Sequence, residues 1–375
     1  MINQKRMLDE FFELVQIKCS SGQEREVADL VKQRLEKLGL EVSEDKAGEK
    51  TGGKSGNLLA YLKGSVTDAP VIMLSAHLDC VEPCNGVKPQ LKDGIITSSG
   101  DTVLGSDDKA GVASILEALR VINEKNIQHG DIQVVFTVQE ESGLIGSKNL
   151  DKESLKADFG YALDSSGEPG KIIIKAPGEN TLTVTVKGKT AHAGIAPEEG
   201  INAIVVAGKA LAEVKQGRID EETTANVGII KGGQATNIVP DKVEIVSEAR
   251  SHNMGKLQKL TQEIKSTFER VAEANGAKAE VKVVEDFIAY SVKEDSAVAV
   301  LAAKAVESLG LKPQMEATGG GSDANVYNSY GIPTAVLGMG MTKVHTTEEF
   351  IKEEELYQGA ELAIALIKMA AEMKK

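Results

Sequence analysis

The chain contains no tryptophan, and aromatic residues of all kinds make up only 3% of its 375 positions. That scarcity argues against a surface that stacks nucleic-acid bases. A basic excess is missing as well: 43 Lys and Arg stand against 56 Asp and Glu, a formal net charge of -13, which opposes attraction to phosphate backbones and to anionic membrane. Cys19, Cys80 and Cys84 are the only cysteines, an odd count too sparse for a disulfide framework, so a reducing cytoplasm is the expected compartment. No apolar run reaches the length of a bilayer span. The opening MINQKRMLDEFF lacks the apolar core and small-residue cleavage site of a signal peptide. These absences lead us to expect a soluble intracellular protein whose partners are small and zwitterionic or cationic, with neither nucleic acid nor membrane among them.

The length allows two hydrophobic cores. Apolar spacing at Leu8, Phe11, Phe12 and Val15, and again at Val27, Leu30, Val31, Leu35 and Leu38, predicts two helices joined by the turn CSSGQE. A strand is expected at 57–63, then unbroken apolar runs at 71–76, 132–138 and 159–163, with an amphipathic helix from near Asp108 to near Glu124 among them. Helices alternating with such strands give an α/β domain with a doubly wound, mostly parallel sheet, where ligands gather beyond the carboxyl ends of the strands. The pattern changes after Ala176-Pro177-Gly178. Residues 181–187 alternate strictly, 200–216 read as a helix, 225–231 and 242–250 as strands, 256–274 as a helix and 278–285 as a strand. That order is the split β-α-β, ferredoxin-like unit. A helix at 295–309, a strand at 333–338 and a helix at 353–374 return to the first pattern. The expected division is 1–176 with 286–375 as one domain and 177–285 as an inserted α+β domain.

Five groups able to bind metal occur in the order His77, Asp107, Glu141, Asp164, His345. Imidazole nitrogen and carboxylate oxygen are the usual ligands of a catalytic zinc, and cobalt or manganese tolerates the same set. If Asp107 bridges, one ion takes His77 and Asp164 and the other Glu141 and His345, each with three protein ligands and a shared water or hydroxide. Two such ions activate that water and polarise a scissile carbonyl. Asp79 lies two residues beyond His77, so in a strand-like segment it points the same way and can accept the second ring N–H of a ligand histidine. Glu140 and Glu141 are adjacent acids that need separate tasks: Glu141 is read as ligand and Glu140 as the proton carrier, although spacing alone leaves the reverse order open. Cys80 and Cys84 invite a thiolate-zinc reading that five nitrogen and oxygen ligands make unnecessary. Arg250 ends an alternating strand, where it could grip a substrate carboxylate or form a structural ion pair. Asn237, Gly320 and Gly321 suit contacts to a peptide main chain, or ordinary turns. His129 and His252 are assigned no chemistry.

The stretches HLDCV, GSDDKAG, QEESG, YALDSSG, KGKTAHAG, GGQATNIVP, EARS, GGGSDAN and VHTTEEF resemble the di-zinc amidohydrolases that include peptidase T, the glutamate carboxypeptidases, aminoacylase and acetylornithine deacetylase. GSDDKAG and the paired glutamates are similar to the peptidase T branch in particular. The resemblance implies the same five ligands, selects Asp107 as the bridge, and gives Asp79 the orienting and Glu140 the general-base role. It also implies that the inserted domain acts as a lid and forms a homodimer, offering His192 to the neighbouring subunit's site as a donor to the developing oxyanion. Cys80 departs from the family, whose members often carry threonine there. The expected activity is metal-dependent release of the N-terminal residue from short peptides. The alternatives are a deacylase of N-acyl amino acids or a dipeptidase, and a non-catalytic binding protein is disfavoured because no ligand and no base is missing.

Overall fold

The computed structural model describes residues 2–374, which group into two compact units, one made of Lys175–Tyr290 with Thr318–Gly321 and the other of the remaining described residues. In the first unit, Ile132–Thr137, Ile72–His77, Phe159–Ser165 and Thr334–Gly338 lie side by side and parallel. Leu58–Leu62 and Glu41–Glu44 extend one flank antiparallel, and Lys171–Ala176 extends the other. The sheet is therefore mixed, parallel only through its centre. Its central strands are buried on both faces, which is why they read as unbroken apolar runs rather than alternating ones.

Register places the chemistry. His77 pairs with Thr137 on one side, and Ser75 pairs with Ala162 on the other; carrying that register two residues further brings Asp164 level with His77. Both side chains then emerge on the same face at the carboxyl edge.

The helix expected from near Asp108 runs Ser106–Glu124, and its first turn is broken by non-helical dihedrals at Asp107 and Asp108. It is buried nearly all round rather than on one face, because the helices Glu353–Ala371 and Gln4–Gln16 cover the side turned away from the sheet. Gly111 on this helix lets it approach the strand Phe159–Ser165: a Cβ there would stand 2.3 Å from the carbonyl oxygen of Leu163. A small sheet of Phe350–Lys352, Ile95–Thr97 and Gln90–Lys92 carries no signal in the sequence, since each strand is only three residues long.

In the second unit the strands Gly217–Asp220, Thr223–Gly232, Lys242–Ser251, Gly178–Lys187 and Lys278–Phe287 form one antiparallel sheet in that order. Leu182, Val184, Val186, Val243 and Ile245 pack beneath the helices Ala203–Glu213 and Met254–Ala274 through Val206, Leu257, Ile264 and Phe268. The expected β-α-β-β-α-β order is present, with Gly217–Asp220 added at an edge.

Candidate metal centre

Two clusters of donors meet at Asp107. Its Oδ1 lies 3.0 Å from Nε2 of His77, which is 3.6 Å from Oδ1 of Asp164. Its Oδ2 lies 3.4 Å from Nε2 of His345, which in turn is 3.0 Å from a carboxylate oxygen of Glu141. One carboxylate thus aims its two oxygens at two different imidazoles. In each of the trios His77, Asp107, Asp164 and Asp107, Glu141, His345, one ligand atom per residue lies within 4.8 Å of the others, and His77, Glu140 and Glu141 form a third such trio.

Those spacings can be tested against an ion. Donors about 2.0 to 2.2 Å from a tetrahedral zinc stand roughly 3.3 to 3.6 Å apart, close to the 3.0 to 3.6 Å found between these imidazoles and carboxylates. His77 supplies a second observation. Its Nδ1 lies 3.3 Å from Oδ1 of Asp79 but off the line of a hydrogen bond, and counts among the buried atoms without a partner. With the proton on Nδ1 beside that carboxylate, Nε2 keeps a lone pair for a cation. The residues fit a pair of divalent ions.

Buried acids hold the turns that carry these donors. Asp79, fully buried, accepts from Ser21 Oγ at 2.6 Å and from the backbone N–H groups of Glu140 at 2.9 Å and Glu141 at 3.2 Å. It therefore aims both glutamates as well as lying beside His77. Asp108 accepts from the backbone N–H of His77 at 3.2 Å and of Gly111 at 3.1 Å. Glu24 accepts from Gly22 N–H at 2.7 Å and from Gln139 N–H at 3.0 Å, next to Glu140. Glu349 accepts from Gly105 N–H, Ser106 Oγ and Asp107 N–H at 2.8, 2.6 and 3.1 Å. The buried ammonium of Lys109 donates to the carbonyl of Asp79 at 3.2 Å.

Sequence reasoning did not assign Asp108, Glu24, Glu349 or Lys109, and nothing in their spacing separates them from solvated charges. The acid doublets at 107–108 and 348–349 were the nearest thing to a signal.

So many acids in one place reshape their own titration. Burial pushes Asp164 up to about 7, partly offset by the hydrogen bond from His77. Burial, with the nearby charges of Asp164, Asp323 and Glu141, also raises Glu140 well above the ordinary carboxylate range, the His77 charge opposing. Burial works in the same direction on Asp107, yet hydrogen bonds from His345 and His77 hold its carboxyl low. His345, bonded to Asp107 and Glu141, rises to about 10. The imidazoles therefore keep protons where cations would otherwise balance the carboxylates. Cys80 and Cys84 are buried free thiols, and neither joins a donor cluster among the described residues.

His192, Asn237, Arg250, Gly320 and Gly321 all belong to the second unit. Nδ1 of His192 accepts from the backbone N–H groups of Gly194 and Ile195, each at 3.2 Å, which leaves the proton on Nε2 of an exposed ring. Asn237 lies against the same turn, its carbonyl taking the Ala193 N–H at 2.9 Å. Arg250 is engaged by Glu248 at 3.0 Å, by Glu179 at 3.2 Å and by the Gly319 carbonyl at 3.4 Å, the structural ion pair that the sequence left open. Gly321 sits on the ring of Phe287, where a Cβ would come within 2.3 Å.

Comparison with known proteins adds lineage to geometry. A family profile described as Peptidase family M20/M25/M40 matches residues 73–369. An aminopeptidase PepT from Bacillus cereus is 45% identical, each chain covered to 99%, with a TM-score of 0.92. A tripeptidase from Staphylococcus aureus is 42% identical over 100% of both chains, with a TM-score of 0.96. The Bacillus subtilis protein YqjE is 44% identical over 99% of this chain and 100% of its own.

Proposed function

This chain belongs to peptidase family M20/M25/M40, and from that premise we propose that it is a metallo-aminopeptidase releasing the N-terminal residue of short peptides. The observation that carries the reading is the divided aim of Asp107, one oxygen toward His77 and the other toward His345. His77, Asp107 and Asp164 would hold one divalent cation and Asp107, Glu141 and His345 the other, with zinc as our reading of the metal. Bound there, such a pair lowers the pKa of an attacking water and polarises the scissile carbonyl.

The chain's own residues do the rest. Glu140, half-buried and held by the Asp79 carboxylate through its backbone N–H, takes the proton of the water and passes it to the leaving amine. Asp79 keeps the His77 ring in the tautomer that frees Nε2. His192 supplies an Nε2–H donor to the oxyanion in the neighbouring subunit's site, an interaction worth about 3 to 4 kcal/mol in a site closed to water. Asn237, Gly320 and Gly321 contact the peptide main chain, while Arg250, held by Glu248 and Glu179, has a structural part. Lys175–Tyr290 with Thr318–Gly321 is the lid and dimerisation domain in this reading, and the rest of the chain is the catalytic one.

The dimer has a concrete support. The strand Thr223–Gly232 is paired with Gly217–Asp220 only as far as Ala225, so its remaining length is an open edge carrying Ile229 and Ile230, 46% and 54% exposed. Ile204 and Val205 on the helix Ala203–Glu213 are exposed as well. A second copy covers these residues, and Ile230→Lys should convert the dimer to monomers in sedimentation; an unchanged mass would remove this surface from consideration. Among the described residues no helix is long and apolar enough to cross a membrane, and three buried free thiols suit the reducing cytoplasm that we assign.

A panel of tripeptides, dipeptides and N-acetyl amino acids, assayed before and after chelation and re-addition of zinc, tests the activity. Turnover of tripeptides that vanishes with the metal and returns with it is expected. Turnover confined to acylated amino acids would replace the aminopeptidase with a deacylase.

A further inference from the structure

The helix that carries Asp107 is broken in its first turn, and Asp108 caps only the part beyond the break, by accepting Gly111 N–H at 3.1 Å. Its N-cap residue is Gly105, at φ +73°, and no side chain there accepts the first amide hydrogens. Uncapped N–H groups at a buried helix start must find acceptors elsewhere. Glu349 provides them from 242 residues away: Oε2 takes Gly105 N–H at 2.8 Å, and Oε1 takes Ser106 Oγ at 2.6 Å and Asp107 N–H at 3.1 Å. Its side chain is 2% exposed. The negative charge also faces the positive end of the helix.

Glu349 sits in the same short loop as His345. Backbone bonds from Thr342 N–H to the Phe350 carbonyl at 2.9 Å and from Phe350 N–H to the Thr342 carbonyl at 3.0 Å close this loop into a hairpin. His345 stands near its tip, with a side chain 52% exposed and a left-handed φ of +63° that few non-glycine residues adopt. Lys343 shares that conformation, and its ion pair with Glu348 lies on the surface, where such pairs contribute little. The buried carboxylate of Glu349 is therefore the rigid tie between the hairpin and the turn that bears Asp107.

We propose that Glu349 is a positioning residue for one cation of the pair: it fixes the hairpin that carries His345 to the backbone of Asp107, and so sets the distance between two of that cation's three ligands. The inference rests on the dinuclear reading above. The other cation depends less on it, because His77 and Asp164 stand on neighbouring strands of the central sheet. An amide in place of the carboxylate keeps one acceptor oxygen and turns an NH2 group toward donors, so Glu349→Gln should loosen the hairpin without emptying the volume.

Zinc titration of the metal-free full-length chain, read by calorimetry and by metal content after dialysis, tests this. The wild type should take up two ions. Glu349→Gln should bind one ion with wild-type affinity and the second about 10- to 100-fold more weakly, the range typical for partners lying behind metal ligands. Glu349→Asp, which keeps the charge one methylene short, should fall between them and carries the test if the glutamine variant does not fold. Two ions bound with wild-type affinity in both variants, or both ions weakened equally, would overturn the proposal. A wild type that binds fewer than two would overturn the dinuclear reading itself, and this inference with it.

Discussion

The two halves of the proposed metal centre are built by different means. His77 and Asp164 project from neighbouring parallel strands, and the His77 side chain is 2% exposed. His345 projects from a hairpin with its side chain 52% exposed, and its partner Glu141 follows a turn that is anchored through the backbone by Asp79. The first half inherits its geometry from sheet register. The second borrows it from buried acids that hold the backbone behind the donors. A ligand on a packed strand needs no further support, whereas a ligand on a loop is only as well placed as the side chains that tie the loop down.

The comparison can be sharpened from the point where both halves meet. Glu140→Gln should leave both ions bound and lower kcat by about 10^2 to 10^4, the contribution typical of a positioned proton carrier; if metal content falls with activity, Glu140 is a ligand and its role is exchanged with Glu141. Removing one imidazole from each half comes next. In the metal-free protein His77→Ala leaves buried carboxylates uncompensated, for which about 3 to 5 kcal/mol is usual, whereas His345→Ala removes a half-exposed ring. Thermal melts should therefore show the larger loss for His77→Ala, and equal losses would erase the distinction between a buried and an exposed half.

The smallest effect, counted per pH unit, is that of pH. The folded pKa of His345 is raised to about 10 by Asp107 and Glu141, so at pH 7 the metal-free protein holds an imidazolium that a cation must deprotonate. Affinity at that half should then rise with pH by about tenfold per unit for each proton released, and level off near pH 10. The sign is the reverse for the stability of the metal-free fold. A raised histidine stabilises below its unfolded pKa, and that contribution disappears as pH climbs through about 10. Calorimetry in buffers of different ionisation enthalpy would count the protons, and a count of zero at pH 7 would contradict the shift.

How much of this was legible follows from the same division. The strands ending at His77 and near Asp164 announced themselves as unbroken apolar runs, because burial on both faces leaves no polar alternation. The inserted unit was legible for the opposite reason: Gly178–Lys187 and Lys242–Ser251 bury alternate residues against two helices. What the sequence concealed was the burial of charge. Glu349, Asp108, Glu24 and Lys109 look like surface residues until long-range contacts surround them, and the three-residue strands beside Glu349 are too short to show a period. The amphipathic reading of Ser106–Glu124 erred similarly, since the helix is buried nearly all round and even Glu117 is covered, paired with Arg6 at 2.8 Å.

Asp107 serves two masters with one rigid group. Because its oxygens diverge toward different imidazoles, one negative charge is shared by both positions, and whichever ion arrives first leaves less of it for the second. Loading should then proceed in sequence, the strand-borne position first, with the second uptake visible as a separate step in a zinc titration. A cell poor in metal would accordingly hold a half-charged population, and small changes in supply would be felt as the arrival or departure of the hairpin's ion alone.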